Sequence, residues 1–550
     1  VRWYRNGEFL DSTSSNDTIL AVASGVYHAT GLTHCGMKVG NRVEVLRNCS
    51  DSWLSRRFFK DTGIVFSAGI TNITDSFYLI SGDLRIPPGA VLNINKSTIV
   101  MTQGSGISVL PGGRLNIDSS SLVGCGRWKG ITIYGNGSDS SWRILNSAIH
   151  GNALITNSAI SDAIEGVKTV NGGFIAAVGN DFTNNGIHII HKQYRYPDHS
   201  IITQNTFKML SAFSYNNFGN LSSNDSVFLN ELAGQARSQC VIDSVTTLTY
   251  SDNIFLNTRL PSENSNELNY HNIFTLQTKN LNIAGNTFKE FSNTAAIAAK
   301  NCTKLNIQNN TINRQSTYGL QLRLDTFRVN GIWFKEVTNS LIENNTIQHL
   351  NIGIGYYLST TVPKLPTLVK YNLLEDNNCG LAVATDTFPL NLAYPLNNYF
   401  DTIYLQTECN VFSDDVTAFV TCGKIIPQGN INTATGNKFY SCEDTAICSN
   451  LGTKINYFYY AGSTTCCQEP YLSLTNDINP PVIINGNLVS KNDFSKKISA
   501  NKNLNCLPEP PELDSVKVTA VFDLKVRPNP SSESFEITFD NKSHISTVPL

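Results

Sequence analysis

A segment that recurs after 23 residues, an Asn-x-(Phe/Ile/Leu) anchor through the middle, and an abundance of Gly, Asn, Ser and Thr predict an all-β chain whose bulk is a parallel β-helix, a three-sheet solenoid. At 550 residues the chain exceeds one compact domain. It is therefore several domains or one long repeat array with appendages. Composition favours the array, because charged residues are only 15% against roughly 25% in an average soluble domain.

The repeat is legible from about Tyr78. Pro88-Gly89-Ala90-Val91-Leu92-Asn93-Ile94 aligns with Pro111-Gly112-Gly113-Arg114-Leu115-Asn116-Ile117 at an offset of 23, which also relates Leu84 to Ile107. Ile131 lies 24 beyond Ile107. Short alternations such as Leu92/Ile94, Ile99/Met101 and Ile107/Val109, parted by Gly/Ser/Asn turns, read as the strands of successive coils. Downstream the anchor takes over, at Asn180, Asn205, Asn253, Asn286, Asn310, Asn345, Asn372, Asn410 and Asn437. The spacings are 25, 48, 33, 24, 35, 27, 38 and 27. The short ones are single coils, and the long ones are either coils with insertions or two coils with one anchor lost. In a parallel β-helix equivalent positions stack about 4.8 Å apart, so the apolar residues form columns. The recurrent Asn is expected to adopt the left-handed turn conformation and to bond its amide to the next coil.

These residues resemble the right-handed parallel β-helix superfamily that includes pectate lyases. Ile80-Ser81-Gly82-Asp83-Leu84-Arg85-Ile86-Pro87-Pro88-Gly89 and Cys125-Gly126-Arg127-Trp128-Lys129-Gly130-Ile131 look especially like the β-helices of large secreted bacterial proteins. The resemblance implies fold more than activity, since one fold hosts many functions.

The flanks differ. The opening, with Trp3 in a strand, a turn at Arg5-Asn6-Gly7-Glu8 and further strands at Thr18–Val22, Gly25–Thr30 and Asn41–Leu46, resembles the second half of an Ig-like β-sandwich, with Cys35 near its end. An independent small β-cap is the other reading. The expected organisation is 1–47 partial Ig-like sandwich, 48–77 connector and cap, 78–445 β-helix, 446–506 Cys-rich cap, 507–523 Pro-rich linker, and 524–550 the start of a further domain. Leu524, Val526, Pro528, Asn529 and Pro530, followed by the strand Phe535–Phe539, resemble the start of a type A C-terminal sorting domain of bacterial type IX secretion. Arg527 departs from the usual aromatic there. The resemblance implies two partners, the type IX machinery and its outer-membrane shuttle, and a location outside the cell or on its surface. It also implies O-glycosylation at Asp-Ser/Thr triplets, with Thr18, Ser226 and Ser515 as candidates.

Charge and cysteines narrow the classes further. A net charge of −2 without a basic block gives no field for nucleic acid, and no apolar run is long enough to span a membrane. Thirteen cysteines, five of them (Cys442, Cys448, Cys466, Cys467, Cys506) near the end without neighbouring His, read as disulfides rather than zinc ligands. Cys125, Cys240, Cys302 and Cys379 read as buried thiols.

No complete catalytic set is legible. Asp414-Asp415 is the best acidic pair, and a solvated turn is its plainer reading. The densest polar segment runs from Gly186 to His199. Strict alternation would place His188 and His191 on opposite faces, unable to share a metal. His191, Tyr194, Arg195, Tyr196, Asp198 and His199 are the candidate sugar contacts, on a loop between two coils. The expected function is a non-enzymatic surface adhesin, glycan-binding protein or stalk without cofactor. A polysaccharide lyase or epimerase acting on uronate glycans is the alternative, and only that reading calls for Ca²⁺.

Overall fold

The computed structural model describes residues 64–137, 149–198, 200–209, 238–257, 270–289, 294–314, 330–358, 365–385 and most of 402–449, with short strands elsewhere. Two compact units are present, Val1–Leu504 and Asn505–Leu550. In the first, each coil contributes a strand to three parallel sheets, here A, B and C in chain order. The early coils show the plan, with Ala90–Asn95 in sheet A, Thr98–Thr102 in sheet B and Gly106–Val109 in sheet C.

Register follows the repeat. Leu92 pairs with Leu115 and Ile94 with Ile117, while Leu84, Ile107 and Ile131 stack in sheet C. The alternation places Ala90, Leu92 and Ile94 inward and leaves Val91, Asn93 and Asn95 partly exposed. Inward columns of Ile, Leu, Val and Phe merge into one continuous core. Phe182, Phe207, Phe255 and Phe288 form one such column, with stacked rings 5.2, 4.8 and 4.7 Å apart. The parallel ladder starts upstream of residue 78, because Ile64–Val65 and Gly69–Thr74 already pair with the next coil. It also runs past 445, through Thr445–Ser449 to Leu472–Leu474.

All nine anchor asparagines form one ladder at the corner between sheets A and B. Each side-chain amide donates to the next side-chain oxygen, from Asn180 to Asn437, at 2.9 to 3.1 Å. Ser97, Ser120 and Ser158 continue the column upstream, the backbone N–H of Ser97 donating to the Ser120 hydroxyl, that of Ser120 to the Ser158 hydroxyl and that of Ser158 to Asn180 Oδ1. Every long spacing is a single coil, since Phe207 pairs directly with Phe255 across the spacing of 48. Insertions explain the irregular intervals and lost anchors do not.

The expected left-handed Asn is displaced by one residue. The positive φ belongs to the residue before each rung, as at Gly179, Gln204, Asp252, Gly285, Asn309, Asn344, Tyr371 and Cys409, with φ between 53° and 67°. Turning there aims the following Asn inward, where burial makes its hydrogen bonds obligatory.

Near the N-terminus, Arg2–Arg5, Glu8–Ser12, Gly25–Thr33, Gly36–Val39 and Val43–Val45 form an antiparallel sheet. Arg5 pairs with Glu8, and Asn6 and Gly7 of the expected turn lie outside the described residues. The expected strand Thr18–Val22 lies outside the described residues. In the second unit Lys525–Pro528 pairs antiparallel with Phe535–Thr538. Leu524, Asn529 and Pro530 lie outside the described residues, as do Thr18, Ser226 and Ser515.

Candidate functional site

Residues Ile187–Pro197 form a strand of sheet C rather than a loop. His191 is fully buried, and Tyr194 and Asp198 are 6% and 5% exposed. These three therefore face the interior instead of offering a sugar-contacting surface. His191 Nδ1 lies 3.2 Å from Asp198 Oδ2 and 3.1 Å from the Thr169 hydroxyl, and Asp198 also accepts the Ser200 N–H. Burial opposes the charge on Asp198, but the hydrogen bonds from His191 and Ser200 prevail and hold its pKa below the ordinary value. The Arg195 and Tyr196 side chains and all of His199 lie outside the described residues.

Strict alternation also fails at the corner that opens this strand. His188 points inward beside Phe182 and Phe207, while His191 points inward beside Tyr250. Both histidines are thus in the core, at different places. Asp415 is likewise buried rather than solvated, and its Oδ1 accepts both the backbone N–H and the side-chain amide of Asn377. It is a rung of a second corner ladder between sheets B and C, in which Asn377 takes the Leu350 N–H and Asp415 that of Asn377. Asp414 lies outside the described residues. Cys240, Cys302 and Cys379 are free thiols, the first two buried.

The outer surface of sheet C carries the chemistry that linear reading misses. Ile190, Val241, Phe274, Ala298, Trp333, Gly355, Ala382 and Val420 stand in register there, one per coil, with Phe274, Trp333 and Val420 partly exposed and the other five buried. His271, three residues before Phe274, stacks on it at 5.6 Å and 17°, and on Trp333 at 6.4 Å and 8°. The intervening coil supplies only Ala295 and Ala298, so nothing bulky parts the Trp333 and His271 rings. The result is a group of near-parallel aromatic planes, all partly exposed. Ala295 donates its N–H to His271 Nδ1, and burial lowers the His271 pKa to about 4. The ring is neutral at pH 7 with its proton on Nε2.

Charge flanks the aromatic group on both sides. Lys300 and Lys335 are paired across adjacent coils two residues beyond Ala298 and Trp333. Two like charges in register repel, so an anion over them would be stabilising. Three coils before His271, Glu165 holds Lys168 at 3.0 Å, and burial raises the Glu165 pKa above its ordinary value despite Lys168 and Lys192. Among the described residues no group of three His, Cys, Asp or Glu could hold a metal ion. No helix among the described residues is long and apolar enough to cross a membrane.

Residues 230–394 match the family described as "Right handed beta helix region". No curated protein matches the chain. Among solved structures, a PL6 alginate lyase in complex with a trisaccharide is similar at 12% identity and TM-score 0.35, over 80% of this chain and 91% of that one. A point mutant of the periplasmic alginate epimerase AlgG gives 13% and 0.25 over 74% and 77%. The family 28 exopolygalacturonase of Yersinia enterocolitica gives 11% and 0.22 over 83% and 86%. At these scores the likenesses assign no residue role. The parallel coils of the first unit form a right-handed β-helix, as their register and the matched β-helix region together show.

Proposed function

We propose that this chain is a glycan-binding protein of the cell exterior, with the outer surface of sheet C as its binding face and acidic polysaccharide as its ligand. The carrying observation is the His271–Phe274–Trp333 stack beside the Lys300–Lys335 pair. Aromatic faces pack against the C–H faces of sugar rings, and lysines in register suit a carboxylate. A coil rise of about 4.8 Å lets an extended chain present about one sugar to each coil. Titration calorimetry with acidic and neutral oligosaccharides tests this. Heat from the acidic series alone supports the reading, and silence from both rejects it.

A lyase or epimerase is the second reading, and Glu165 favours it. A carboxyl whose pKa burial raises, close to Lys168 and Lys192 on the same sheet, is a candidate proton donor. Absorbance of unsaturated product during incubation with uronate glycans separates lyase from binder. Export is proposed to use type IX secretion, on the resemblance of residues 524–550 to a sorting domain. Deleting those residues should strand the protein in the periplasm, and normal surface display of the deletion would exclude that route.

A further inference from the structure

Three consecutive coils differ from the rest of the solenoid in what they bury. At the inward corner position of sheet C, Gly166, His188, Gln239, Asn272 and Ala296 stand in register, and Gly331, Gly353, Gly380 and Ala418 continue the column. Most of these are glycine or alanine, as a tight interior requires. A Cβ on Gly331 would lie 2.5 Å from the Gly353 carbonyl oxygen, and one on Gly353 would lie 2.6 Å from that of Gly380. The three successive exceptions are polar, and His188, Gln239 and Asn272 are each 0% exposed.

Their hydrogen bonds do not close. Gln239 Nε2 donates to the Leu256 carbonyl, and His188 Nδ1 lies 3.1 Å from Asn185 Nδ2. Gln239 Oε1 and both side-chain polar atoms of Asn272 have no partner, whereas His188 also meets the Lys208 backbone. The neighbouring interior repeats the pattern. His191 Nε2 is also buried without a partner, on a ring 5.9 Å from that of Tyr250, whose hydroxyl meets the Cys240 thiol. All of these atoms belong to coils between Ile187 and Phe288. By contrast, the Asn ladder satisfies its amides rung by rung.

A buried amide oxygen and amide nitrogen must find partners, and where side chains cannot reach one another an enclosed water supplies them. We propose that this stretch of the solenoid holds ordered internal water, one file along Gln239 and Asn272 and a further water on His191 Nε2. The water donates to Gln239 Oε1 and Asn272 Oδ1 and accepts from Asn272 Nδ2. It does in this column what the asparagine amides do at the corner between sheets A and B. The polar residues are thus a binding site for water rather than a packing defect.

A crystal structure of the full chain, at a resolution that shows solvent, tests this directly. The expected result is density within hydrogen-bonding distance of Gln239 Oε1 and the Asn272 amide. Amides rotated onto each other or onto backbone, with no density between them, overturn the proposal. Thermal melting of Asn272→Leu gives a second, opposite-signed readout. If water bridges the column, removing Asn272 strips partners from the file and lowers Tm. A raised Tm, the expected effect of deleting orphaned polar atoms from a dry interior, rejects it.

Discussion

The side-chain oxygen of Asn372 takes both the backbone N–H of Asn345, at 3.0 Å, and its side-chain amide, at 2.9 Å. One residue therefore satisfies two donors of the coil before it, and its own amide repeats the act on Asn410. The interval is 27 residues in one step and 38 in the next. The ladder thus holds register while chain length between rungs varies.

Cutting one rung should cost more than one hydrogen bond. Asn345→Ala removes the bonds to Asn372 and to the Ile307 carbonyl, and strands the Asn310 amide groups that its oxygen accepts. The expected loss is about 3 kcal/mol, from several bonds at roughly 1 kcal/mol each. Urea unfolding measures it, and an unchanged midpoint would show that the ladder is dispensable.

The turn residue before each rung answers to a different rule. Gln204 has φ of 57°, which a side chain tolerates poorly and a β-branched one worst. Gln204→Gly should leave stability unchanged or raise it by up to about 1 kcal/mol, and Gln204→Val should lower it by about 1–2 kcal/mol. Gly285, with φ of 66°, lacks that freedom, because a Cβ there would lie 2.4 Å from Asp252 Oδ1. Gly285→Ala is therefore expected to destabilise. Paired melting curves of the three variants check the order.

Acid should weaken the solenoid well before its exposed carboxylates are neutralised. Burial lowers the His188 pKa from 6.5 to about 3, so between those values the unfolded chain binds a proton that the folded chain refuses. This stability is complete above pH 6.5 and falls with acid by roughly 1.4 kcal/mol per pH unit. Asp198, whose pKa is lowered, loses its contribution in the same direction, below its unfolded value. Glu165, whose pKa is raised, acts oppositely and costs stability as pH rises. Denaturation midpoints at about pH 7 and about pH 5 should differ less in His188→Gln than in the natural chain, and equal differences would remove His188 from the explanation.

What the sequence discloses of this fold follows from chemistry repeated without disguise. Leu84 over Ile107 and Asn180 over Asn205 are visible because like stacks on like in successive coils. Ser97, Ser120, Ser158 and Asp415 do the same work with other groups, and so escape a search for Asn. The outer site is harder still. His271, Ala295 and Asn330 share a column yet share no chemistry, and insertions of unequal length hide their register. Reading the outward residue of each coil from the anchor spacing could have aligned Phe274 with Trp333. His191, Tyr194 and Asp198 misled because dense polarity reads as a loop, whereas here His191 and Asp198 satisfy one another inside the core.

Sheet C is proposed to bind glycan through its outer aromatic stack. The most direct measurement is the affinity of Trp333→Ala for acidic oligosaccharides, set beside that of the natural chain. A stacked sugar contributes about 1 kcal/mol or more through an aromatic face, so affinity should fall about fivefold or beyond. Lys300→Ala with Lys335→Ala should weaken binding further and flatten its dependence on salt. The circular dichroism of each variant should match that of the natural chain. Undiminished affinity in well-folded Trp333→Ala would contradict the assignment.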